Sequence, residues 1–275
     1  MFKYNKDTSV LAREWIEKIH SDEDLEKSVQ YSYENTDIVM DAKPLSVAGK
    51  NFDKTKTSVF RMYTQQAVRE VALPMPNRLC VLNFASFIWP GGAFIKGATT
   101  QEEALCHSST LYPILDKMKN IYEDRIATRK AHLDSADGFI YTEDFLYSPR
   151  IMFTTSDYEL GNYIVADVMT YAAPNARRYR MARLKEPNGR DVKANEEFIE
   201  NFFGNRMEIA FTYPLRYGVT DIILGAWGCG VFGNRTDFVA KKWKELTEKY
   251  DGCYRNVIHP VPDEKNYNIF KSILG

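Results

Sequence analysis

The sequence has no apolar run approaching the length of a membrane span, no excess of charge and no cysteine pairing pattern. Its 36 lysines and arginines offset 37 aspartates and glutamates to a formal net charge of -1, so it carries no overall attraction to nucleic acid or to an anionic membrane. The four cysteines, Cys80, Cys106, Cys229 and Cys253, form no CxxC pair, which excludes a zinc ribbon and gives no sign of a disulfide framework. Reduced thiols, and with them a cytoplasmic location, are the expectation. Lys3-Tyr4-Asn5-Lys6-Asp7 follows Met1 without the apolar core of a signal peptide. Nothing resembles a metal-ligand cluster, so neither a metal nor a cofactor is expected. No Pro/Gly/Ser-rich linker and no internal repeat divides the 275 residues. One domain spanning 1–275 is the expectation, with residues 1–60 as a helical or irregular extension packed on it.

What is present alternates between helix and buried strand. Asp7 or Thr8 caps a first helix with Val10, Leu11, Trp15, Ile16 and Ile19 at helical spacing. Residues 29–57 read as extended or irregular, and 64–72 as a helix. Continuous apolar runs at 79–85, 163–169 and 221–227 have the character of strands buried on both faces. Helices are expected over 101–121, 195–216, 237–250 and 267–274, with a last strand at 257–261. Buried strands alternating with helices predict an α/β layered domain.

Two motifs fall just beyond strand ends, where open α/β sheets bind ligands. The first is Trp89-Pro90-Gly91-Gly92-Ala93, running into Gln101-Glu102-Glu103. Adjacent glutamates in a first helical turn have a bland explanation, a solvated end favoured by the helix dipole. Their neighbours Leu105, Cys106, Leu111 and Tyr112 are largely apolar, however, and Gly91-Gly92 with Gly97 supplies a flexible loop. Successive helical residues point about 100° apart, so the two glutamates cannot do the same job: one can hold a substrate hydroxyl while the other reaches a scissile oxygen. The second motif, Gly228-Cys229-Gly230-Val231-Phe232-Gly233, follows a strand and is read as opening a helix, the arrangement in which backbone N–H groups cradle phosphate. It matches GxGxxG, yet too little chain follows for a dinucleotide-binding fold, and the next strand ends in His259-Pro260 rather than an acidic residue. A phosphate loop of another design is the better reading; glycines serving only a tight turn are the alternative.

The motifs Val81-Leu82-Asn83-Phe84-Ala85-Ser86, Pro90-Gly91-Gly92-Ala93, Gln101-Glu102-Glu103-Ala104-Leu105-Cys106 and Ser108-Ser109-Thr110-Leu111-Tyr112-Pro113 resemble the microbial-type poly(ADP-ribose) glycohydrolases. The resemblance continues through Tyr147-Ser148-Pro149-Arg150, Ala172-Ala173-Pro174-Asn175 and Leu224 to Asn234, spanning roughly residues 60–270 in order. It implies a three-layer α/β/α macrodomain-like fold with a central mixed sheet. It also implies an enzyme that hydrolyses the ribose–ribose O-glycosidic bond of poly(ADP-ribose). By that resemblance Glu103 is the catalytic acid and base, Glu102 holds the ribose hydroxyls, and the diphosphate lies along Gly228, Cys229, Gly230, Val231 and Phe232. Asn83, Ala85, Gly91, Gly92, Ala93 and Gln101 complete the implied substrate-binding set. The implied partner is ADP-ribose or its polymer on modified macromolecules, with nucleic acid only as a carrier, and the chain is expected to act as a monomer.

The sequence departs from the family pattern at Ala93, in place of the third glycine, and at Trp89, in place of the usual asparagine. Both glutamates are intact, which favours activity. Two other readings are weighed: a hydrolase of single ADP-ribose units, and a non-catalytic ADP-ribose reader, against which the second carboxylate argues. Residues 177–193 carry seven basic side chains, read as a solvated loop with polyanion contact as the alternative. His107 is read as a packing or hydrogen-bonding residue.

Overall fold

The computed structural model describes residues 7–47, 49–72, 78–133, 135–185 and 190–275. Residues 3–6 of the N-terminal reading and Glu186 of the basic stretch lie outside the described residues.

Helix α1 (Thr8–Ser21) is capped by Asp7, whose carboxylate accepts the Ser9 N–H at 2.8 Å, and it turns Ala12, Trp15 and Ile19 inward. Helix α2 (Glu23–Glu34) is capped in the same way by Asp22, and it buries Leu25, Val29 and Ser32. Irregular chain was expected from residue 29, so 29–34 is a correction: the inward stripe is narrow and set in a strongly polar helix. Strands β1 (Asp37–Val39) and β2 (Lys56–Phe60) follow. Helix α3 (Thr64–Ala67) passes into a π-helical turn at Val68–Ala72, covering the helix expected at 64–72. Strand β3 is Leu79–Phe84.

The single helix expected over 101–121 is three: α4 (Gln101–His107), α5 (Leu111–Lys117) and α6 (Lys119–Ala131). The break has a local cause. The hydroxyls of Ser108 and Ser109 bond back to the carbonyls of Ala104 (2.8 Å) and Leu105 (2.7 Å). The freed backbone then pairs with a neighbouring strand: Thr110 N–H donates to Met152 O, and Thr154 N–H to Ser108 O. After α7 (Asp137–Ile140) come β4 (Phe145–Thr154), β5 (Tyr163–Tyr171) and α8 (Ala176–Met181). A ribbon of β6 (Leu184–Lys185) and β7 (Asp191–Val192) leads to α9 (Glu196–Thr212). The described part of the basic stretch therefore includes helix α8 and the two ribbon strands where a loop was expected, and Arg180 is tied to Glu196 and to Gly233 O. Strand β8 covers only Asp221–Ile223, shorter than the expected 221–227, because Gly225 at φ 99° turns the chain away. Helix α10 (Thr236–Lys249), β9 (Asn256–Pro260) and α11 (Glu264–Leu274) complete the chain.

The central sheet has the order β1-β4-β5-β3-β8-β9-β2. Strands β5, β3, β8, β9 and β2 run parallel, and β4 is antiparallel to both β1 and β5, so the sheet is mixed. Side chains alternate across it. Cys80 and Leu82 face a layer with Phe203, Phe211, Trp243 and Phe270 from α9, α10 and α11. Leu79 and Val81 face Trp15, Val29, Leu105, Leu115 and Tyr122 from the α1–α6 side. This is the expected three-layer α/β/α fold. The first sixty residues do more than pack upon it, since they supply both edge strands. Among the described residues no helix is long and apolar enough to cross a membrane.

Parallel pairing sets the carboxyl ends of β3, β5 and β8 at one edge, where both loop motifs emerge. Arg206 of α9 braces that edge from inside the protein. Fully buried, it donates to Ala172 O at 2.8 Å, Thr142 O at 3.1 Å and the Glu143 carboxylate at 3.2 Å. Arg206→Ala removes one member of a buried ion pair and should destabilise the fold by about 3–5 kcal/mol in urea unfolding followed by tryptophan fluorescence. A midpoint close to that of the parent protein would show that the brace is dispensable.

Candidate active site

The site is built from the junction of β3 with α4. Gln101 fastens the helix to the strand: its Oε1 accepts Phe84 N–H at 2.8 Å, and its Nε2 donates to Leu82 O at 2.9 Å. The next two residues then point into the protein. Glu102 is 3% exposed and Glu103 5%, which rules out a solvated first turn. Each is held by a different part of the preceding loop. Glu102 Oε2 accepts the Ser86 N–H at 2.7 Å, and its Oε1 accepts from Asn83 Nδ2 at 3.3 Å. Glu103 Oε1 accepts the Ala93 N–H at 2.8 Å, and its Oε2 accepts the Thr100 hydroxyl. Glycine is required beside them. A Cβ on Gly92 would stand 2.3 Å from Glu103 Oε1 and 3.0 Å from Glu102 Oε2, and one on Gly91 2.6 Å from the Tyr112 ring. Both glycines have positive φ, 64° and 62°. Ala93, at φ -106°, has an ordinary L-residue backbone.

Burial pushes the Glu102 carboxyl up to about 8, the nearby Glu103 charge adds to the rise, and the Ser86 N–H opposes it. At neutral pH Glu102 therefore holds a proton.

The glycine loop faces this pair. Gly228 has φ 72°, and a Cβ there would meet Asn234 Nδ2 at 2.5 Å and Ala173 Cβ at 2.7 Å. Asn234 closes the loop by donating from Nδ2 to Pro174 O at 2.9 Å and Gly228 O at 3.1 Å. The backbone N–H groups of Gly228, Gly230, Val231 and Phe232 make no hydrogen bond among the described residues, leaving a run of free donors. The loop does not itself open a helix as expected: α10 begins at Thr236, beyond Asn234 and Arg235. The donors are loop amides.

Both motifs line one cavity of about 800 Å³, within the range of small-molecule sites. Glu102, Glu103, Gln101, Gly92 and Ala93 form one wall, and Gly228, Gly230, Val231 and Phe232 another. Asn83, Ala85, Gly91 and Cys229 sit a layer behind. Asn83 is fully buried under Glu102, and Ala85 N–H donates to Asn83 O and Tyr171 O. Gly91 packs on Tyr112 and Cys106, and Cys229 Sγ faces Trp227 O, its thiol pushed up to about 12 by burial. Sequence reasoning passed over Ser86 and Thr100, the donors to the two carboxylates, and Asn234 as the brace of the glycine loop. Thr100 had a signal, standing three residues before Glu103 in the spacing of a capping box; Ser86 had none. His107 takes the structural role expected of it, with Nε2 at 2.9 Å from Ala98 O and Nδ1 at 2.6 Å from the Tyr158 hydroxyl.

The sequence profile of the microbial-type PARG catalytic domain matches residues 7–155, more than half of the chain. The chain belongs to this family. Among solved structures it is similar to the poly(ADP-ribose) glycohydrolase of Thermomonospora curvata, with 23% identity, a TM-score of 0.78, and coverage of 96% of this chain and 98% of that one. It is also similar to the Deinococcus radiodurans poly(ADP-ribose) glycohydrolase in complex with ADP-ribose, with 26% identity, a TM-score of 0.73, and coverage of 90% and 96%. No curated protein matches. The family match takes in the Gly91-Gly92-Ala93 loop and both glutamates, and the glycine loop lies outside it.

The Glu102 proton sets a pH dependence of stability. Its folded pKa of about 8 lies above the ordinary 4.5, so the folded state binds more protons than the unfolded state between those values. Stability is then full below about pH 4.5 and declines as pH rises through 8. Glu102→Gln should flatten this decline, gaining on the parent protein in thermal melts at pH 8.5 and losing that advantage by pH 5. Parallel curves for the two proteins across this range would contradict a proton held on Glu102.

Proposed function

We propose that this chain cleaves the ribose–ribose O-glycosidic bond of poly(ADP-ribose) and releases ADP-ribose, with Glu103 as general acid and base. The observation that carries this reading is the shared cavity, which sets two buried carboxyls across from a run of unpaired loop amides. A diphosphate on the amides of Gly228, Gly230, Val231 and Phe232 would place the attached ribose toward Gly92, against which both carboxyls converge. Glu103 acts as the acid that delivers a proton to the departing oxygen as the glycosidic bond breaks, and Glu102 holds the ribose hydroxyls. Positive charge developing on the ribose is stabilised by the neighbouring diphosphate. The Glu103 carboxylate then takes a proton from the water that adds to the sugar carbon, returning to its starting state.

Family membership, the likeness to a glycohydrolase complexed with ADP-ribose, and the intact glutamate pair support this reading. Ala93 is compatible with it, because Glu103 needs only the N–H of that residue. We read residues 1–275 as one catalytic domain that acts as a cytoplasmic monomer in removing ADP-ribosylation. The edge strands supplied by the first sixty residues and the four free thiols are in keeping with this.

The test is release of ADP-ribose, measured by mass spectrometry, from poly(ADP-ribosyl)ated and from singly ADP-ribosylated protein. Release from polymer is expected, falling at least ~100-fold in Glu103→Gln. Release from the singly modified substrate alone would move the activity to single units, and ADP-ribose binding without release would make the protein a reader. Within the signature, Gly92→Ala should lose activity as severely as Glu103→Gln, whereas Ala93→Gly should stay within a few-fold of the parent protein. Equal losses at positions 92 and 93 would contradict the separate roles assigned to them.

A further inference from the structure

Three of the four tryptophans, Trp15, Trp227 and Trp243, are fully buried, whereas Trp89 is 56% exposed on the cavity rim. The backbone that carries it is fixed at the cavity rim. Trp89 N–H donates to Ser86 Oγ at 3.1 Å, and its carbonyl accepts the Gly92 N–H at 3.0 Å. The indole is thus presented by the same turn whose Ser86 N–H holds Glu102 and whose Ala93 N–H holds Glu103. Lys96 lies beside it, with Nζ 6.0 Å from the ring centroid, also on the cavity wall. Among the described residues no carboxylate neutralises Lys96.

We infer that Trp89 and Lys96 form a leaving-group subsite, which holds the nucleotide unit on the far side of the bond being cleaved. The inference rests on the ADP-ribose reading above and deepens it. The diphosphate of the released unit is assigned to the glycine loop, and the leaving oxygen to Glu103. Whatever is attached to that oxygen departs along the turn that carries Trp89. In a polymer this group is the ribose of another adenosine, so a flat base and an anionic diphosphate are its nearest appendages. An exposed indole with an unneutralised ammonium beside it matches that pair: the base stacks on Trp89 and a phosphate meets Lys96. A protein side chain as leaving group offers neither partner. The subsite therefore favours polymer over singly modified protein.

The test uses the full chain carrying Glu103→Gln, so that substrate is bound without turnover, and calorimetry with ADP-ribose and with a two-unit ADP-ribose oligomer. The dimer should bind more tightly than the monomer. Adding Trp89→Ala should cut the dimer-to-monomer affinity ratio by roughly tenfold, and Trp89→Phe should restore most of it. Lys96→Ala should lower the same ratio and weaken its dependence on salt. Monomer affinity in each variant reports that the cavity is still folded. A ratio near one in the Trp89 protein, or a ratio unmoved by Trp89→Ala, overturns the subsite while leaving the ADP-ribose reading intact. Failure to bind ADP-ribose at all overturns that reading and the subsite with it.

Discussion

Two adjacent carboxyl groups buried at the start of one short helix are electrostatically expensive, and the architecture around α4 follows from satisfying them. A buried carboxylate without donors is disfavoured by several kcal/mol, roughly, and two together repel. The chain supplies a backbone N–H to each, Ser86 for Glu102 and Ala93 for Glu103, from either end of the same loop. A loop bent to do this must pass so close to the carboxyls that no side chain fits at position 92. Its far end is tied down as well. Thr8 Oγ1 of α1 donates to Gly97 O at 2.7 Å, and the His107 ring contacts Ala98 O at 2.9 Å. The N-terminal helix is therefore part of the scaffold of the site, and Trp15 strengthens that link by donating from Nε1 to Ser109 O at 3.1 Å.

The opposing wall is anchored in the other helical layer. Where the glycine loop leaves β8, Gly225 O accepts the Trp243 indole N–H at 3.0 Å, and Gly225 N–H donates to His259 Nδ1 at 3.3 Å. Burial holds His259 down to about 3, so its ring is neutral and can accept that hydrogen bond. Asn234 locks the loop's other end to Pro174 O. The carboxylate wall thus rests on the α1–α6 layer and the amide wall on the α9–α11 layer, with the sheet edge as their common base. The two buried carboxyls and the facing loop amides are held at fixed separation in this way.

Four of the seven strands of the central sheet, and helices α1, α9, α10 and α11, were legible because their signals are local: buried strands show as apolar runs, and Asp7 and Asn195 mark helix starts. What was illegible depended on distant partners. The strand at Phe145–Thr154 carries Pro149 and Arg150, and its register with β5 shifts between Ser148 and Ile151, so no clean period announces it. The break after His107 depends on pairing with that strand. The edge strands β1 and β2 are short and mostly exposed or half-buried, leaving little pattern to read. For the site, the two glutamates and both glycine runs could be named from their order and from the family resemblance. Their burial, the donors at Ser86 and Thr100, and the elevated proton affinity of Glu102 could not, because each is created by the approach of a loop that the spacing does not encode.

Ala93 shows why a glycine signature should be resolved into separate physical demands. Gly91 and Gly92 occupy left-handed backbone conformations, which cost an L-residue about 1–2 kcal/mol each, and at both positions a side chain would collide with a ring or a carboxylate. The third position has φ -106° and contributes an N–H to Glu103, which every residue except proline can supply. A glycine there is conformationally idle, so alanine can replace it while the carboxylate keeps its donor. The same reasoning separates the two departures of this chain: Ala93 leaves the carboxylate's donor in place, so the change is absorbed by the backbone, whereas Trp89 presents an exposed indole on the rim of the same cavity.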